Sequence, residues 1–431
     1  MNESDSEALS CLLREKGFEH TDDENEADIL LFNTCSVRAQ AEHKVLGKLG
    51  LLKKRKRREQ DLVIGVLGCM AQNRGRELVE RFPHVDFVLG TEQLHVLPEV
   101  LQEVLEGRHG IVYTRTGDAD FTRLRGHEAG QVTSYVAVMR GCNQFCSYCI
   151  VPYVRGRERS RPVEDVVAEV RQQAGRGARE VILLGQNITA YGLAEAREAG
   201  RYTPEISPFA DLLRAVHGVE GIERIRFTSP HPRFMNREFT DTVTALPRVC
   251  EAFHVPLQSG SDRMLRRMKR GYTLEEYTRV IERLRAGLPH VTFSTDVIVG
   301  FPGETEEDFL ATRRVMEAVG YDMAYIFRYS PRTGTAAARL DDDVPDAVKH
   351  ERNQILLRDL DARAARQNPA YVGTEQEVLV EGPSKRNPAR WSGRTRTNKV
   401  CVFPPRPETE PGRLIRVRIK RVTSHTLFGV P

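Results

Sequence analysis

Between residues 134 and 329 the chain repeats one pattern six times: an apolar run, a polar loop rich in Gly and Pro, then a helical stretch. The runs cover 134–139, 180–184, 223–227, 252–257, 291–299 and 323–329. Strand–helix units in series fold as a parallel sheet with helices outside, because a parallel pair needs a long crossover. Six units specify a parallel barrel or an open portion of one. A closed eight-unit barrel needs two more, and the sequence does not supply them. The loops after the strands then share one surface, where such folds place their chemistry. One of them, Gly185-Gln186-Asn187, offers two amides able to hold a ligand's polar groups. Another, Gln258-Ser259-Gly260-Ser261-Asp262, is capped for a helix start at Ser261 or Asp262.

The first of these loops carries Cys142, Cys146 and Cys149, spaced Cys-x3-Cys-x2-Cys. A closed zinc or iron–sulfur site takes four ligands, so three thiolates leave one position open. Half of a zinc ribbon is the alternative. It needs a second close pair, and Cys11, Cys35, Cys69, Cys250 and Cys401 each stand alone. With Tyr148 in the aromatic slot, the loop resembles the Cys-x3-Cys-x-aromatic-Cys motif of radical S-adenosylmethionine (SAM) enzymes. The resemblance implies a catalytic [4Fe-4S] cluster on Cys142, Cys146 and Cys149, with SAM on the open iron. It maps SAM contacts to Tyr148, Gln186 with its neighbour Asn187, Ser229, Gln258 and, on the fifth strand, Asp296. The arginines of 155–161 suit a SAM carboxylate or an RNA phosphate, or are a solvated loop before a helix that starts at Pro162. His231 and His254 are expected to be structural, since radical hydrogen abstraction needs no general base.

Upstream, apolar runs at 27–32, 61–67 and 85–90 alternate with helical stretches at 5–16, 39–58 and 74–81. This predicts an open parallel sheet, with Cys35 and Cys69 just past two strand ends. The segments Asn33-Thr34-Cys35-Ser36-Val37-Arg38 and Gly68-Cys69-Met70-Ala71-Gln72 resemble the N-terminal domain of the methylthiotransferases. That family holds a second [4Fe-4S] cluster on three cysteines, the first in a Gly-Cys-Gln-Met-Asn segment closing the first strand. This chain opens at Met1-Asn2, two residues after that cysteine. The expectation is therefore a start assigned to an internal methionine, with an exposed sheet edge where the first strand belongs. Cys11, on a helix striped by Leu9, Leu12 and Leu13, is not expected to replace the absent ligand. The run Lys53–Arg58 reads equally as a solvated helix end or as a grip on nucleic-acid phosphate. A helix and then a polar, Arg-rich connector follow from 95 to 126, placing a boundary near 108–130.

After a helix over 346–368, strand-like runs at 376–381, 398–403, 413–419 and 424–429 predict a small β barrel. Charge separates it from the rest. Residues 371–431 hold 12 Lys/Arg against 5 Asp/Glu, a balance of +7, whereas the other 370 residues sum to −3. A basic module on a near-neutral body suits a polyanion. Glu381-Gly382-Pro383-Ser384-Lys385 and Ser392-Gly393-Arg394-Thr395 resemble the TRAM domain, an RNA-binding barrel. The expected RNA contacts are Lys385, Arg386, Arg390, Trp391, Arg394 and Arg396.

The expected architecture is multidomain α/β. A Rossmann-like open parallel sheet (1–107) precedes a partial (β/α)6 radical SAM barrel (128–360) and an all-β TRAM barrel (368–431). The resemblance spans the chain and lies nearest to the branch that modifies N6-dimethylallyladenosine (isopentenyladenosine). It implies transfer of a methylthio group to carbon 2 of that base, next to the anticodon of tRNA. Two [4Fe-4S] clusters, SAM, an electron donor and a sulfur source are implied with it. The alternatives are action on threonylcarbamoyladenosine in tRNA, action on a ribosomal-protein aspartate, or tRNA binding without sulfur insertion. No apolar run reaches the ~18 residues of a membrane span. The acidic start is no signal peptide. Eight cysteines then read as thiols or cluster ligands in the cytoplasm, and the chain is expected to act as a monomer.

Overall fold

The computed structural model describes residues 1–36, 39–115, 126 and 130–431. Val37, Arg38, most of the expected connector and the expected start of the second domain at 128 lie outside them. The chain forms two compact units that cut across the order of the sequence. One comprises Met1–Glu128, Met139–Arg161 and Arg332–Thr335; the other comprises Ala129–Val138, Pro162–Pro331 and Ala336–Pro431. The triad loop thus folds in the same unit as the N-terminal sheet.

In the first unit, strands Ile29–Asn33, Val63–Leu67, Phe87–Leu89 and Ile111–Tyr113 pair in parallel, in chain order. The last of these carries the sheet past residue 107, into what the sequence reads as connector. Three residues among polar neighbours give too short an alternation to register as a strand. The sheet buries both faces. Leu67, Phe87, Leu97 and Leu101 pack on one side, and Ile64, Val66, Met70 and Val88 on the other. The expected helix over 74–81 is two, Gly68–Arg74 and Arg76–Arg81, broken at Gly75 where φ is +44°. Strand Ile29–Asn33 is half-buried along its whole length, and a cavity of about 640 Å³ lies beside it, lined by Leu9, Leu13, Ile29 and Leu31.

The second unit holds the six barrel strands as two parallel three-stranded sheets. They are Thr133–Ala137, Glu180–Leu184 and Arg224–Phe227, then Ala252–His254, Thr292–Val299 and Met323–Arg328. An isolated parallel bridge, Ile225 to Val249, links strand Arg224–Phe227 to the segment just before strand Ala252–His254. Along Thr292–Val299 the alternation is plain: Phe293, Thr295, Val297 and Val299 are buried, whereas Ser294, Asp296 and Ile298 face the more open side. Ser261 caps helix Asp262–Arg267 as expected, and capping boxes at Thr273 and Thr305 start the next two helices.

The C-terminal module is a closed barrel of five strands, ordered Glu375–Ser384, Asn387–Thr395, Val400–Phe403, Thr426–Val430 and Leu414–Val422. Asn387–Thr395 is the strand the sequence hides, because Pro388 and two arginines, Arg390 and Arg394, mask its alternation. The turn that follows it docks on the amino ends of the (β/α) strands. Buried Arg224 and Arg226 donate to the carbonyls of Arg394, Thr395 and Arg396, and Thr292 donates to that of Thr397. Lys399 pairs with Asp322 at 3.0 Å. The turn therefore floors the barrel at the end opposite the loops that follow its strands.

Candidate functional site

The triad loop is tied off at its base by a two-residue antiparallel ladder, Met139–Arg140 against Arg159–Ser160. Within it the Cys142 amide donates to the Gly156 carbonyl (3.1 Å), and the Cys149 amide to that of Cys146 (2.9 Å). Asn143 and Glu158 exchange hydrogen bonds of 3.0 and 3.2 Å across the loop. Gly141, at φ +79°, has no room for a side chain: a Cβ would lie 1.9 Å from the Arg157 carbonyl oxygen. Phe145 also takes a positive φ, +47°, a sparsely populated conformation that surrounding contacts must hold. The thiols are thus presented by a backbone that the chain fixes by itself. Burial pushes the Cys142 thiol up to about 12. Among the described residues no three His, Cys, Asp or Glu side chains converge as on one metal ion. A multi-iron cluster, with each thiolate on its own iron, does not require that, and an all-thiol donor set suits it.

Cys35 and Cys69 emerge from neighbouring strand ends. Asn33 pairs with Leu67 in the parallel register, the Thr34 amide donates to the Leu67 carbonyl, and the Met70 amide donates back to that of Thr34. Cys69 falls in the first turn of helix Gly68–Arg74 and packs on Ile150 and Val154, in the segment that follows Cys149. Cys11 lies on helix Asn2–Glu15, where only a glycine at 126 fits beside its sulfur.

The arginines after the triad differ from expectation. Arg155 is buried, donates to Cys69 Sγ at 3.3 Å and pairs with Asp5 at 2.9 Å. Arg159 pairs with Glu92 at 3.0 Å, and the Arg157 guanidinium lies over the Phe145 ring. Arg155 and Arg159 are held by carboxylates of the chain itself, which argues against a role on SAM or phosphate. The basic helix end is also partly structural. Arg55 binds Glu59 and the carbonyls of Asn25 and Ala27, and Lys56 binds Asp86, leaving Lys53, Lys54, Arg57 and Arg58 exposed.

On the barrel, two of the expected SAM contacts stand out by their backbone. Ser229 has φ +58° and Gln258 φ +67°, strain of about 1–3 kcal/mol each that persists where function or packing demands it. The Ile188 amide donates to the Ser229 carbonyl, and Thr189 exchanges hydrogen bonds with the His231 backbone, which stitches the loops of Gln186, Asn187 and Ser229 together. The Gln258 amide donates to the Asp296 carbonyl at 2.8 Å, so these two also meet. Tyr148 is half-buried in the triad loop, in the first unit. His254, on the same open side as Asp296, approaches its carboxylate at 3.3 Å and Ser294 at 3.0 Å. In register with Ser294, Asp296 and Ile298 come Met323, Tyr325 and Phe327, and Met323 and Tyr325 are each 43% exposed. The sequence points to neither, because apolar residues in a strand read as core.

Of the expected RNA contacts, Lys385, Arg386 and Arg390 are exposed around one hairpin. Arg394 pairs with Glu381 at 3.2 Å and stays partly open. Two of the expected contacts have partners within the chain. Trp391 pairs with Phe403 in the ladder and packs on the barrel core, which competes with stacking on a base. Arg396 chelates Glu251 and donates to the carbonyls of Pro247 and Val249, so its guanidinium fastens the barrel floor. Further exposed cations, not singled out from the sequence, are Arg416, Arg418 and Lys420 along strand Leu414–Val422, alternating with buried Val417 and Ile419. Their strict alternation was the available signal.

Three family models match the chain: "Uncharacterized protein family UPF0004" over residues 1–90, "Radical SAM superfamily" over 136–316 and "TRAM domain" over 369–431. Relatives named tRNA-2-methylthio-N(6)-dimethylallyladenosine synthase match it from end to end. That of Opitutus terrae is 47% identical over all of this chain and 95% of its own length; that of Akkermansia muciniphila is 46% identical over all of this chain and 96% of its own. Among solved structures, the radical S-adenosylmethionine methyltransferase TsrM from Kitasatospora setae aligns at a TM-score of 0.56 with 18% identity, covering 75% of this chain and 70% of that one. That likeness is one of fold.

Proposed function

The chain belongs to the tRNA-2-methylthio-N(6)-dimethylallyladenosine synthase family, and from that premise we propose that it is a radical SAM methylthiotransferase acting on carbon 2 of isopentenyladenosine beside the anticodon of tRNA. Carbon 2 of adenine offers neither an acidic proton nor a leaving group, so substitution there calls for radical chemistry. Two [4Fe-4S] clusters and SAM would supply the electron that generates a hydrogen-abstracting radical, and the sulfur and methyl that replace the hydrogen. Cys142, Cys146 and Cys149 would hold one cluster. Cys35 and Cys69 would hold the other, together with a further ligand.

The observation that carries the reading is the placing of both cysteine sets in one compact unit, with Cys69 packed on the residue next to Cys149. Radical formation and sulfur delivery must act on one carbon atom in turn, and this arrangement brings their ligands together. Gln186, Asn187, Ser229, Gln258 and Asp296 would orient SAM through amides, a hydroxyl and a carboxylate at the carboxyl ends of the barrel strands. The exposed side chains of Met323 and Tyr325, in register with Ser294 and Asp296, favour an apolar tail on the substrate over the charged threonylcarbamoyl group. Lys385, Arg386, Arg390 and Arg394, with Arg416, Arg418 and Lys420, would hold the tRNA backbone. The reading includes an external electron donor and sulfur source, a cytoplasmic setting and action as a monomer. No helix among the described residues is long and apolar enough to cross a membrane.

Competition between substrates tests it. The reconstituted enzyme is given equal amounts of tRNA bearing isopentenyladenosine, tRNA bearing threonylcarbamoyladenosine and unmodified tRNA, and the digests are analysed by mass spectrometry. Methylthio product from the first alone is expected. Product mainly from the second would overturn the substrate assignment.

A further inference from the structure

Helix Val151–Arg155 begins two residues after Cys149 and ends on an arginine that reaches the other cysteine set. Arg155 is only 5% exposed, and each of its nitrogens has a distinct fate. Nε donates to Cys69 Sγ at 3.3 Å; Nη2 donates to Asp5 Oδ2 at 2.9 Å and to Asn2 Oδ1 at 3.1 Å. Nη1 is buried with no partner among the described residues. Asp5, itself buried, is shared with Arg140 at 3.3 Å, and Arg140 also donates to the Thr91 carbonyl. Thr91 in turn donates to the Val154 carbonyl at 2.7 Å, next to Arg155. The guanidinium is therefore clamped from three sides, with Nε on a thiol and both N–H bonds of Nη1 unused. A buried donor without an acceptor is costly, and the inorganic sulfide of a cluster held by Cys69 would be an acceptor the chain does not itself supply.

We propose that Arg155 is the positioning residue of the N-terminal cluster: it donates to the Cys69 ligand sulfur, offers its unused Nη1 donors to the cluster, and ties that cluster to the triad loop. This rests on the reading above that Cys69 is a cluster ligand. Donors to a ligand sulfur favour the more negatively charged, reduced state and so raise the reduction potential. Asp5 fixes the fork and offsets part of its charge. The covalent path from Cys149 to Arg155 spans six residues, so the contact with Cys69 also limits how far the two sites can separate.

The test uses the full chain with Cys142, Cys146 and Cys149 changed to Ala, reconstituted with iron and sulfide, so that only the N-terminal cluster is read. Arg155, Arg155→Lys and Arg155→Gln forms are compared by iron content and by a redox titration followed by electron paramagnetic resonance. The midpoint potential is expected to fall in Arg155→Gln, and to fall less in Arg155→Lys, which keeps the charge without the fork. With the triad intact, the ratio of methylthio nucleoside to 5′-deoxyadenosine should drop by roughly tenfold or more in Arg155→Gln, as for other partners of metal ligands. An unchanged potential and spectrum in Arg155→Gln overturns the inference. If Arg155→Gln does not fold, an unchanged potential in Arg155→Lys does so. If no triad-free form binds iron, the reading of Cys69 as a ligand fails, and the inference falls with it.

Discussion

His231 sits between the barrel loops with its side chain buried. Its Nδ1 accepts from the Arg233 amide, which leaves the proton on Nε2. Burial, reinforced by the Arg270 and Arg233 charges, holds its pKa well below 6.5. A base whose folded pKa is depressed binds fewer protons folded than unfolded, so it costs stability as pH falls below the unfolded value. His231 should therefore stay neutral across the working range, and its imidazole resonances should not shift between about pH 6 and 8. A titration midpoint inside that range would contradict the burial argument. At this scale the sequence is legible where chemistry needs a residue type, as in the triad. It is blind to what three-dimensional packing decides. Ser229 and Gln258 can be mapped from motif likeness, but nothing in their identity announces a positive φ. Arg155 reads as a loop cation, and only folding brings Asp5 and Cys69 to it.

Among the elements, the turn after strand Asn387–Thr395 carries the sharpest energetic prediction. Arg226 bonds Glu180 at 2.7 Å with both side chains buried, and its other nitrogens hold the turn. Arg226→Ala leaves a buried carboxylate uncompensated, and denaturant unfolding should show a loss of about 3–5 kcal/mol. Changing both Arg226 and Glu180 to Met should recover much of that loss, since no charge is then stranded. A single variant within about 0.5 kcal/mol of wild type would mean that the pair is not desolvated as described. Strand Met323–Arg328 offers a test of the proposed specificity. Tyr325→Asp sets a charge where an apolar tail is to lie, so kcat/KM for isopentenylated tRNA should fall by at least about tenfold. Equal activity would place the tail elsewhere. The six barrel strands were legible from their period and their loops. Ile111–Tyr113 was too short to see, and Asn387–Thr395 too basic.

For the molecule as a whole, electrostatics and chemistry divide. The basic C-terminal barrel rests on the amino ends of the (β/α) strands, away from their carboxyl-end loops. Reversing Lys385, Arg386 and Arg390 to Glu should weaken tRNA binding at moderate salt and flatten its dependence on log salt concentration by about one unit per lost phosphate contact. SAM cleavage measured without tRNA should not change. An unaltered salt slope would remove this hairpin from the interface. The order of the three matched regions was legible along the sequence, but the partition of the fold was not. The triad loop belongs by packing to the N-terminal unit, because Cys69, Ile150 and Val154 form one buried cluster. No reading by linear segments separates a loop from the strand it follows.

One anaerobic turnover tests the central claim, that one chain generates the radical on one cysteine set and delivers sulfur from the other. Protein reconstituted with iron and sulfide is mixed with SAM, reductant and isopentenylated tRNA, and both 5′-deoxyadenosine and the methylthio nucleoside are quantified. The wild-type chain should form both and Cys142→Ala neither, whereas Cys69→Ala should form 5′-deoxyadenosine without the methylthio nucleoside. Equal yields of both products from Cys69→Ala and wild type would contradict the account.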